Sequence, residues 1–392
     1  MKKFFPFLLI LFFTIIYLSP RLLNLSRNLE FRFDQAYQLT EVKEMFDSRH
    51  LRLIGPATSK TIEGRQFFTG VTYYYILAVF GAIFSWSPLA ITASIIIIEY
   101  LFYTLFINYL RQSFGYSISI FFAILISFTP YLIFHSFFFW NPHFLIPLSI
   151  MFIIYRKNPY LSAFIWGLAI SFHFSALLWF IPYLIFNKKY YHLKISKILL
   201  ALTFLLAANL PYIYFELRHN FYNIKTAFLV FSHPSNSFGI TTHYFFFSLI
   251  IFISYLLICL SHKYNRPIYI ILILVFLIQD QAELNRVNGW DYPNQIKISN
   301  SIAASCPQNY NVATTIQGDT RAYELRYLLS LRKCNADTVD NYPNNKTLFL
   351  VSPSNISPEK DTVWEVNSFK PFKISSQEKV NHNITFYRLD KS

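Results

Sequence analysis

Long apolar runs dominate the first two thirds of this chain. Many of them extend over about 17 to 25 residues, the length that crosses the hydrocarbon core of a bilayer as an α-helix. The sequence is 54% hydrophobic and only 14% charged, which excludes an ordinary soluble enzyme. The pattern predicts a polytopic α-helical membrane protein. The candidate spans are Phe4–Leu18, Pro88–Leu110, Ser117–Phe134, Phe144–Tyr155, Tyr160–Phe172, Phe174–Phe186, Ile195–Phe215, Tyr244–Leu260 and Ile268–Ile278.

The formal net charge of +14 comes largely from lysines and arginines in short connectors between the apolar runs. Such positions set membrane topology and meet anionic lipid headgroups. Nucleic-acid binding would require a basic face interleaved with stacking aromatic side chains outside the apolar runs, and the sequence has none. Nucleic acid is therefore excluded as a partner, and the charge informs topology instead.

The basic connectors predict which side of the membrane each segment faces, because positive charge in short loops marks the cytoplasm. From Arg111 onward, two apolar runs separate each basic cluster from the next, so these clusters share one side. The N-terminal lysines join that side only if residues 67–84 form an interfacial helix that does not cross, which the tyrosines at 73–75 suit. About nine crossings follow, with the N-terminus cytoplasmic and the C-terminus outside. The clusters are Lys2 with Lys3, Arg111, Arg156 with Lys157, Lys188 to Lys197, and Lys263 with Arg266.

The first apolar run has no small-residue cleavage site after it, so we interpret it as a retained span rather than a signal peptide. The composition of the sequence changes near residue 284: polar and charged residues become frequent, and apolar runs shorten to strand length. We therefore predict a transmembrane domain at 1–283, with an outer loop at 22–66, and a small extracytoplasmic α/β domain at 284–392.

Within the predicted C-terminal domain, Arg321 to Arg332 has the periodicity of an amphipathic helix, and Lys346 to Ser352 that of a strand. Cys306 and Cys334 also lie there. They form a disulfide if the compartment is oxidising, and otherwise remain two unpaired thiols. Cys259 lies in an apolar run, where packing is its expected role.

The polar outer loop contains Asp34, a short distance after the first span and flanked by Phe31 and Phe33. A carboxylate that aromatic side chains partly desolvate near a membrane surface acquires a raised pKa, which suits a general base. The competing interpretation is an N-cap, because Gln35 to Phe46 has the pattern of a helix. The two roles are compatible.

Anion-binding side chains follow in the same loop and in a later connector. Gly55 to Lys60 contains the glycine and proline typical of a turn. We predict that Lys60 and Arg65, with Arg218 and His219 after a later span, bind a lipid-linked phosphate. The alternatives are a flexible loop for the first pair and simple snorkelling of cations for the second.

Several acidic and histidine side chains are predicted on the same outer face. They could bind a divalent cation, but none of the spacings typical of a metal site is present, so the sequence requires no cofactor and we assign no metal ligands. A lone histidine such as His173, within an apolar hairpin, is typically a hydrogen-bonded structural group. These side chains are Glu63, Glu216, His143 and His173.

The order of these features resembles a family of integral-membrane glycosyltransferases that use polyprenyl-phosphate sugars. These are the GT-C enzymes of the protein O-mannosyltransferase and aminoarabinose-transferase type (glycosyltransferase family 39). The resemblance covers the membrane part of the chain well and the C-terminal part loosely. The segments that carry it are Phe33-Asp34-Gln35-Ala36-Tyr37-Gln38, Leu53 to Ser59, Thr69-Gly70-Val71-Thr72-Tyr73-Tyr74-Tyr75, Trp140-Asn141-Pro142-His143, Ser171 to Phe174, and Phe215-Glu216-Leu217-Arg218-His219-Asn220-Phe221.

The resemblance implies a GT-C fold with juxtamembrane helices and an inverting transfer in which Asp34 is the catalytic base. It implies a polyprenyl-phosphate sugar as donor and a glycolipid, polysaccharide or protein as acceptor, at the outer face of a bacterial cell membrane. The predicted substrate-binding residues are Gln35, Tyr74, Asn141, His143, His173 and Glu216.

Two positions depart from the family pattern. Many relatives have Asp-Glu where this chain has Asp34-Gln35, and relatives often place a second aspartate where this chain has Asn141. The first departure weakens any metal role; with the second, either the acceptor is bound differently or activity is altered or lost. Two other classes of function are also open. One is a transporter or flippase of lipid-linked sugars, which would place ionisable residues at mid-membrane depth; few are visible here, and Glu99 is the clearest. The other is a non-catalytic scaffold whose outer domain binds a cell-surface polymer.

Overall fold

A computed structural model describes residues 5–186, 194–232, 242–278, 289–316 and 318–392 of the chain. Contacts divide the chain into two compact units. We call the first the helical unit; it comprises Met1–Leu23, Glu44–Phe84 and Ala90–Glu283. The second, the mixed-sheet unit, comprises Asn24–Lys43, Ser85–Leu89 and Leu284–Ser392. The first half of the predicted outer loop therefore groups with the C-terminal part of the chain.

Helices make up most of the chain up to residue 278. They are α1 (Phe5–Leu22), α2 (Leu25–Asn28), α3 (Phe33–Ser48), α4 (Thr72–Ile83), α5 (Pro88–Phe114), α6 (Tyr116–Phe128), α7 (Pro130–His135), α8 (Leu145–Tyr155), α9 (Pro159–Phe172), α10 (Phe180–Phe186), α11 (Ile195–Ala207), α12 (Leu210–Arg218), α13 (Tyr222–Ser232), α14 (Thr242–Tyr264) and α15 (Ile271–Ile278). Shorter 3₁₀ turns lie at Asn141–Phe144, Phe174–Trp179 and Ile268–Ile270.

The count of about nine crossings is not met by the described residues. Among them, three helices are long and apolar enough to cross a membrane, or four if α11 and α12, bent by 78° at their junction, form one span. Helix α9, on a predicted span, has 14 residues, which is about 21 Å of helix against a core of about 30 Å. The chain thus has the character of a helical membrane protein with fewer long spans than its apolar runs predicted.

A proline divides one predicted span, Ser117–Phe134, into α6 and α7. Pro130 has no N–H, so the carbonyl of Ile126 loses the donor that a continuous helix would supply. Arg21 of α1 replaces it: its Nη2 donates to Ile126 O at 2.9 Å, and its Nη1 donates to Ser127 O at 3.1 Å. The Arg21 side chain is almost fully buried. Arg21 of α1 therefore supplies hydrogen-bond donors to carbonyl groups at the end of α6.

Helices α9 and α11 pack closely within the helical unit. A Cβ on Gly167 would lie 2.4 Å from the Leu205 carbonyl oxygen, so only glycine fits at this crossing. At the bend that follows, Asn209 donates from Nδ2 to Gly167 O at 2.9 Å and to Leu205 O at 3.1 Å. Pro211 then lies in the first turn of α12, which begins at Leu210. Together these contacts account for the bend inside the predicted span Ile195–Phe215.

The outer loop contains a β-hairpin that the sequence did not predict. Strand β1 (Ile54–Ile62) pairs antiparallel with β2 (Arg65–Gly70). The turn expected at Gly55–Lys60 was therefore wrong: irregular register on both sides of Ala57 accommodates Gly55 and Pro56 within the strand. The chain reverses instead at Glu63 and Gly64, which both have positive φ.

The mixed-sheet unit contains a four-stranded sheet and flanking helices, an α/β arrangement. The strand order is β3-β4-β6-β5; β3 and β4 are parallel, and the other pairs are antiparallel. The strands are β3 (Tyr310–Thr314), β4 (Thr347–Pro353), β5 (Phe372–Lys379) and β6 (Ile384–Lys391), and the helices are α16 (Tyr292–Ser305), α17 (Tyr323–Ser330) and α18 (Trp364–Asn367), with 3₁₀ turns at Tyr342–Asn344 and Pro358–Lys360.

Both faces of this sheet are covered. Alternate residues of β3 and β4, such as Val312 and Phe349, join one core cluster with Leu325 and Leu329 of α17. The opposite side chains, such as Leu350, join a second cluster with Val366 of α18. The strand predicted at Lys346–Ser352 and the helix predicted at Arg321–Arg332 are therefore present, with shifted ends.

Cys306 and Cys334 form a disulfide that links the end of α16 to the segment after α17, with 5.8 Å between the Cα atoms. The paired state, one of the two predicted alternatives, is the one that the structure has. Cys259 is a free cysteine in α14.

Candidate functional site

Phe31 holds the segment before α3 against the two main helices of the mixed-sheet unit. Its side chain is 1% exposed, and its ring packs edge-on against Tyr292 of α16 and Tyr327 of α17 at centroid distances of 6.0 and 5.6 Å. Gln295 of α16 donates from Nε2 to Phe31 O at 3.0 Å. These contacts fix the start of α3, and with it the position of Asp34.

Asp34 lies inside the first turn of α3, which begins at Phe33. Asp34 is therefore not the residue that precedes the helix, and its predicted N-cap role was wrong. Arg32 occupies that position. Gln35 has the adjacent structural role, since its Oε1 accepts the Arg32 backbone N–H at 3.4 Å, as the third residue of a capping box does. Gln35 is buried, while the Asp34 side chain is exposed.

The environment of Asp34 favours its protonated form. Neighbouring protein excludes part of the solvent around this surface carboxyl, and this partial desolvation raises its pKa above the ordinary value. The carboxylate of Asp319, in the segment after β3, raises the pKa of Asp34 further by repulsion. Asp34 thus has a neighbouring second carboxylate, supplied by the C-terminal part of the chain.

Asp319 is held by a two-residue ion pair. Arg321 donates from Nε to Asp319 Oδ1 and from Nη2 to Oδ2 in the fork arrangement. The guanidinium lies 5.1 Å from the ring centroids of Phe33 and Tyr323. Side-chain exposures of 40% for Arg321 and 20% for Asp319 place the pair at the surface of the unit.

A buried carboxyl lies beneath this surface. Glu324 of α17 is 2% exposed and accepts a hydrogen bond from Trp290 Nε1 at 3.1 Å. Burial raises the pKa of Glu324 to about 7, with Asp319 adding to the rise. Two carboxyls of this unit, Asp34 and Glu324, therefore have pKa values above those of ordinary acidic side chains.

The structure brings together the two segments predicted to bind phosphate in the helical unit. Phe68 N in β2 donates to Asn223 Oδ1 at 2.9 Å, and Gln66 N donates to the Tyr222 hydroxyl at 3.3 Å. The Arg65 guanidinium lies 5.8 Å from the Tyr222 ring centroid. The strand that carries this arginine is therefore joined to the first turn of α13.

Arg218 and His219, at the end of α12, are exposed near that connector. The His219 Nδ1 lies 2.9 Å from Phe215 O, and its ring stacks on Phe215. Lys60 lies in β1, but its side chain falls outside the described residues. Arg218 and His219 thus lie a few residues before Tyr222, whose ring is near the Arg65 guanidinium.

Glu216, in the last turn of α12, has a structural role at the start of α13. It is 4% exposed, and its two carboxylate oxygens accept the backbone N–H groups of Asn223 and Ile224 at 3.1 and 3.2 Å. These are orphan donors in the first turn of α13, which an anion at a helix N-terminus satisfies. Both oxygens are engaged in this cap, so the predicted substrate contact would require that Glu216 leave it.

Asn141 and His173 also make local contacts. Asn141 Nδ2 donates to Phe172 O at 2.7 Å, and the residue is buried. His173 Nδ1 accepts the Ser175 backbone N–H at 3.2 Å, and its ring stacks on Tyr244 at 4.5 Å. These geometries give both residues structural partners, as we expected for His173; their substrate roles stay predictions.

A polar cavity lies inside the helical unit. His143 Nε2 and His135 Nδ1 share a hydrogen bond of 3.2 Å, and Tyr17 donates to Glu99 at 3.4 Å. The cavity has a volume of about 10 Å³, room for one water molecule. Tyr74, predicted to bind substrate, is buried in α4 of the same unit. The cavity is lined by Tyr17, Glu99, Tyr103, Leu132, His135, Ser136, His143, Ile146 and Phe247.

Within the described parts of the chain, no group of three or more histidine, cysteine or acidic side chains is placed to hold a metal ion. Three residues were not predicted from the sequence: Asp319, which lies near Asp34, and Arg321 and Tyr323, which contact Phe33. The available signal was their position directly after a buried strand, where the carboxyl ends of parallel strands gather functional side chains.

Comparison of this chain with family models, curated proteins and solved structures finds no match. The family resemblance therefore rests on the short motifs themselves.

Proposed function

We propose that this protein is a GT-C glycosyltransferase of the cell membrane that moves a sugar, with inversion, from a polyprenyl-phosphate donor to an extracytoplasmic acceptor. The observation that carries the proposal is the exposed Asp34 carboxyl with its raised pKa and its neighbour Asp319. A carboxylate whose proton affinity is raised is a better general base than an ordinary surface aspartate. The acceptor is a glycolipid, a polysaccharide or a protein.

In the proposed reaction, Asp34 takes the proton of an acceptor hydroxyl. The acceptor oxygen attacks the anomeric carbon, the bond from that carbon to the phosphate oxygen breaks, and polyprenyl phosphate leaves with the electron pair. The proton then passes from Asp34 to water. Each bond formed is matched by one broken, and no oxidant or metal ion is needed to balance the step.

Arg65, Arg218 and Lys60 are the proposed donors to the leaving phosphate. The contact of β2 with the start of α13 supports this assignment, because α13 directly follows the connector after Arg218. Charge-assisted hydrogen bonds from guanidinium groups strengthen as the leaving group gains charge, so they stabilise the transition state more than the ground state.

The test is a transfer assay with full-length protein in liposomes that contain a polyprenyl-phosphate hexose. The proposal predicts release of polyprenyl phosphate that depends on acceptor and protein together. Mass spectrometry of lipid that co-purifies with the protein gives an independent readout, a polyprenyl phosphate with or without its sugar. Liposomes that move the lipid-linked sugar across the bilayer, with no release of polyprenyl phosphate, would contradict the proposal.

That contradicting outcome defines the second candidate, a transporter of lipid-linked sugars. The observation that favours it is that Glu99, His135 and His143 line one small internal cavity, with room for one water molecule, among apolar helices. Ionisable side chains inside such a bundle commonly mark a substrate or proton path. Asp34 is the better-supported functional residue, because its surroundings raise the pKa of an exposed carboxyl.

A further inference from the structure

Arg156 is anchored at the end of α8 by contacts with two other helices of the helical unit. Its Nη1 donates to the Tyr109 hydroxyl of α5 at 2.7 Å and to Ile153 O of its own helix at 2.8 Å. The guanidinium lies 5.9 Å from the ring centroid of Tyr109 and 5.3 Å from that of Tyr255 in α14. The side chain is only partly exposed, so the cation has a fixed orientation where these three helices meet.

The anchoring contacts engage only one nitrogen of the Arg156 guanidinium. A cation at a helix C-terminus commonly bonds the last carbonyls, which accounts for Nη1 and Ile153 O. Nε and Nη2 make no hydrogen bond or ion pair with any residue that the structure describes. These two nitrogens form the edge of a guanidinium that binds an oxyanion through two parallel hydrogen bonds. Arg321 uses the same edge, since its Nε and Nη2 donate to the two oxygens of Asp319.

The two tyrosines beside Arg156 add donors rather than acceptors. Their hydroxyl oxygens lie 3.0 Å apart, so one hydroxyl donates to the other, and the Tyr109 oxygen also accepts from Arg156. Two hydroxyls have two protons and use one between them, which leaves one O–H to donate elsewhere. The thiol of Cys259, beside Tyr255, is only a weak acceptor. The cluster therefore has an excess of donors, as a site for an oxyanion does.

The sequence around Arg156 supplies no counter-ion. Between Glu99 and Asp280 the chain has one acidic residue, Glu216, and both carboxylate oxygens of Glu216 accept backbone N–H groups of α13. No described carboxylate forms an ion pair with Arg156. An oxyanion from outside the chain is therefore the expected partner of the open guanidinium edge.

The position of Arg156 favours a lipid phosphate over an ion from solution. Arg156 lies in a three-residue connector between two apolar helices, α8 and α9, and the cations of such connectors meet phospholipid headgroups. The exposed Lys157 follows it directly. This local excess of positive charge repels the ammonium group of a zwitterionic headgroup and attracts a headgroup of net negative charge.

We propose that the Nε and Nη2 edge of Arg156 binds the phosphate of an anionic phospholipid where α5, α8 and α14 meet. This binding does not depend on the glycosyl transfer proposed above, whose phosphate ligands are other residues.

The test is native mass spectrometry of the full-length protein in a neutral detergent, titrated with dioleoylphosphatidylglycerol. We expect Arg156→Ala to raise the Kd of this lipid by about tenfold or more. Arg156→Lys should raise it by a smaller factor, because an ammonium keeps the charge but not the two parallel hydrogen bonds. Dioleoylphosphatidylcholine should bind wild type about tenfold more weakly, and excess inorganic phosphate should not displace the anionic lipid.

Arg111→Ala is the matched control. Arg111 is also partly exposed and lies in the last turn of α5. Its Nε and Nη2 already donate to Asn108 Oδ1, and its Nη1 donates to the Tyr116 hydroxyl. Loss of this cation removes one positive charge without removing an open guanidinium edge, so the Kd should stay within about twofold.

Thermal unfolding checks that each variant folds, and Tyr109→Phe gives a milder change at the same site. It keeps the ring and the arginine but removes the hydroxyl that orients the guanidinium, so the Kd should rise about threefold or more. Unchanged binding in both Arg156→Ala and Tyr109→Phe would overturn the inference. Equal losses in Arg111→Ala and Arg156→Ala would overturn it too, since general charge would then account for binding.

The lipid class has its own contradicting outcomes. Equal affinity for the two phospholipids, displacement by inorganic phosphate, or tighter binding of a polyprenyl phosphate at Arg156 would each show that the site is not one for an anionic phospholipid. Sugar transfer that is lost while phosphatidylglycerol still binds would overturn the proposed function alone.

Discussion

Asp319 lies close enough to Asp34 for its charge, added to partial desolvation, to raise the pKa of Asp34. The two residues are far apart in sequence, one in the first turn of α3 and the other after β3. The family pattern predicted a second carboxylate at position 141, where this chain has a buried asparagine bonded to Phe172 O. The structure gives Asp34 an acidic neighbour from a different segment.

Replacing Asp319 with asparagine should move the pH dependence of transfer. Asp34 acts as a base only when ionised, so the rate rises with pH through its pKa. Asp319→Asn removes the repulsion and lowers that pKa, so the acidic limb of the profile should shift to lower pH. Rates of polyprenyl phosphate release across pH measure the shift. Asp340→Asn, at an exposed position of the same unit, should leave the limb in place; an unmoved limb in Asp319→Asn would refute the coupling.

Glu324 should make the mixed-sheet unit less stable as pH rises. Its pKa is about 7 in the folded state against an ordinary 4.5, so the folded state binds the proton more tightly than the unfolded state. The resulting stability is fully present below about pH 4.5 and is lost between pH 4.5 and 7. Hydrogen exchange of α17 in wild type and Glu324→Gln, compared at each pH, measures it.

Glu324→Gln should remove most of this slope, since the amide cannot ionise and its oxygen still accepts from Trp290. Glu378→Gln is the matched control: Glu378 is half exposed in an ion pair with Lys297, and its loss should leave the slope intact. Equal pH dependence in wild type and Glu324→Gln would exclude the buried carboxyl as its source.

The disulfide should stabilise the mixed-sheet unit. It links residues 28 apart in sequence, and closing a loop of this length typically contributes about 2 to 4 kcal/mol. The double variant Cys306→Ala with Cys334→Ala should lose about that much free energy of unfolding, measured by denaturant-dependent exchange of α16. Cys259→Ala removes the third cysteine and should leave this unit unchanged. Free thiols at 306 and 334 on non-reducing peptide mapping would contradict the pairing.

Arg21 should be essential for the packing of α1 against α6. Arg21→Ala leaves the Ile126 carbonyl without a donor, because Pro130 has none to give, and a loss on the order of 3 kcal/mol follows. Arg21→Lys keeps the charge but not the planar guanidinium, so its melting temperature should lie between those of wild type and Arg21→Ala. Thermal unfolding in detergent ranks the three proteins. The exposed Arg27→Ala should match wild type, and a melting temperature of Arg21→Ala equal to wild type would refute the role.

The breaks in the helices explain how far the sequence predicted the fold. Apolar runs predicted where helices form, and most of them coincide with helices. They did not predict length, because Pro130 and Pro211 interrupt two runs, and whether a proline bends or divides a helix depends on partners such as Arg21 and Asn209. The hairpin was missed because Gly55 and Pro56 are tolerated by irregular register within β1.

The candidate site was predictable in part. Asp34 was chosen for its position between aromatic residues after the first span, and Arg65 and Arg218 for their chemistry; their roles in binding stay predictions. The neighbours of Asp34 were not predicted, since nothing local to residues 319–323 indicates which loop they meet. Chemistry also suggested Gln35, Asn141 and Glu216 as substrate-binding residues. In the structure each of these buried side chains hydrogen-bonds backbone groups instead, because buried polar groups need hydrogen-bond partners.

The most direct test of the account compares wild type with Asp34→Asn and Asp34→Glu in the liposome transfer assay. Asparagine nearly matches aspartate in shape but cannot take a proton, so removing a general base should lower the rate by about 10²- to 10⁴-fold. Glutamate should retain measurable transfer. Thermal unfolding of each variant checks the fold. If Asp34→Asn releases polyprenyl phosphate at the wild-type rate, Asp34 is not the base and the proposed mechanism is wrong.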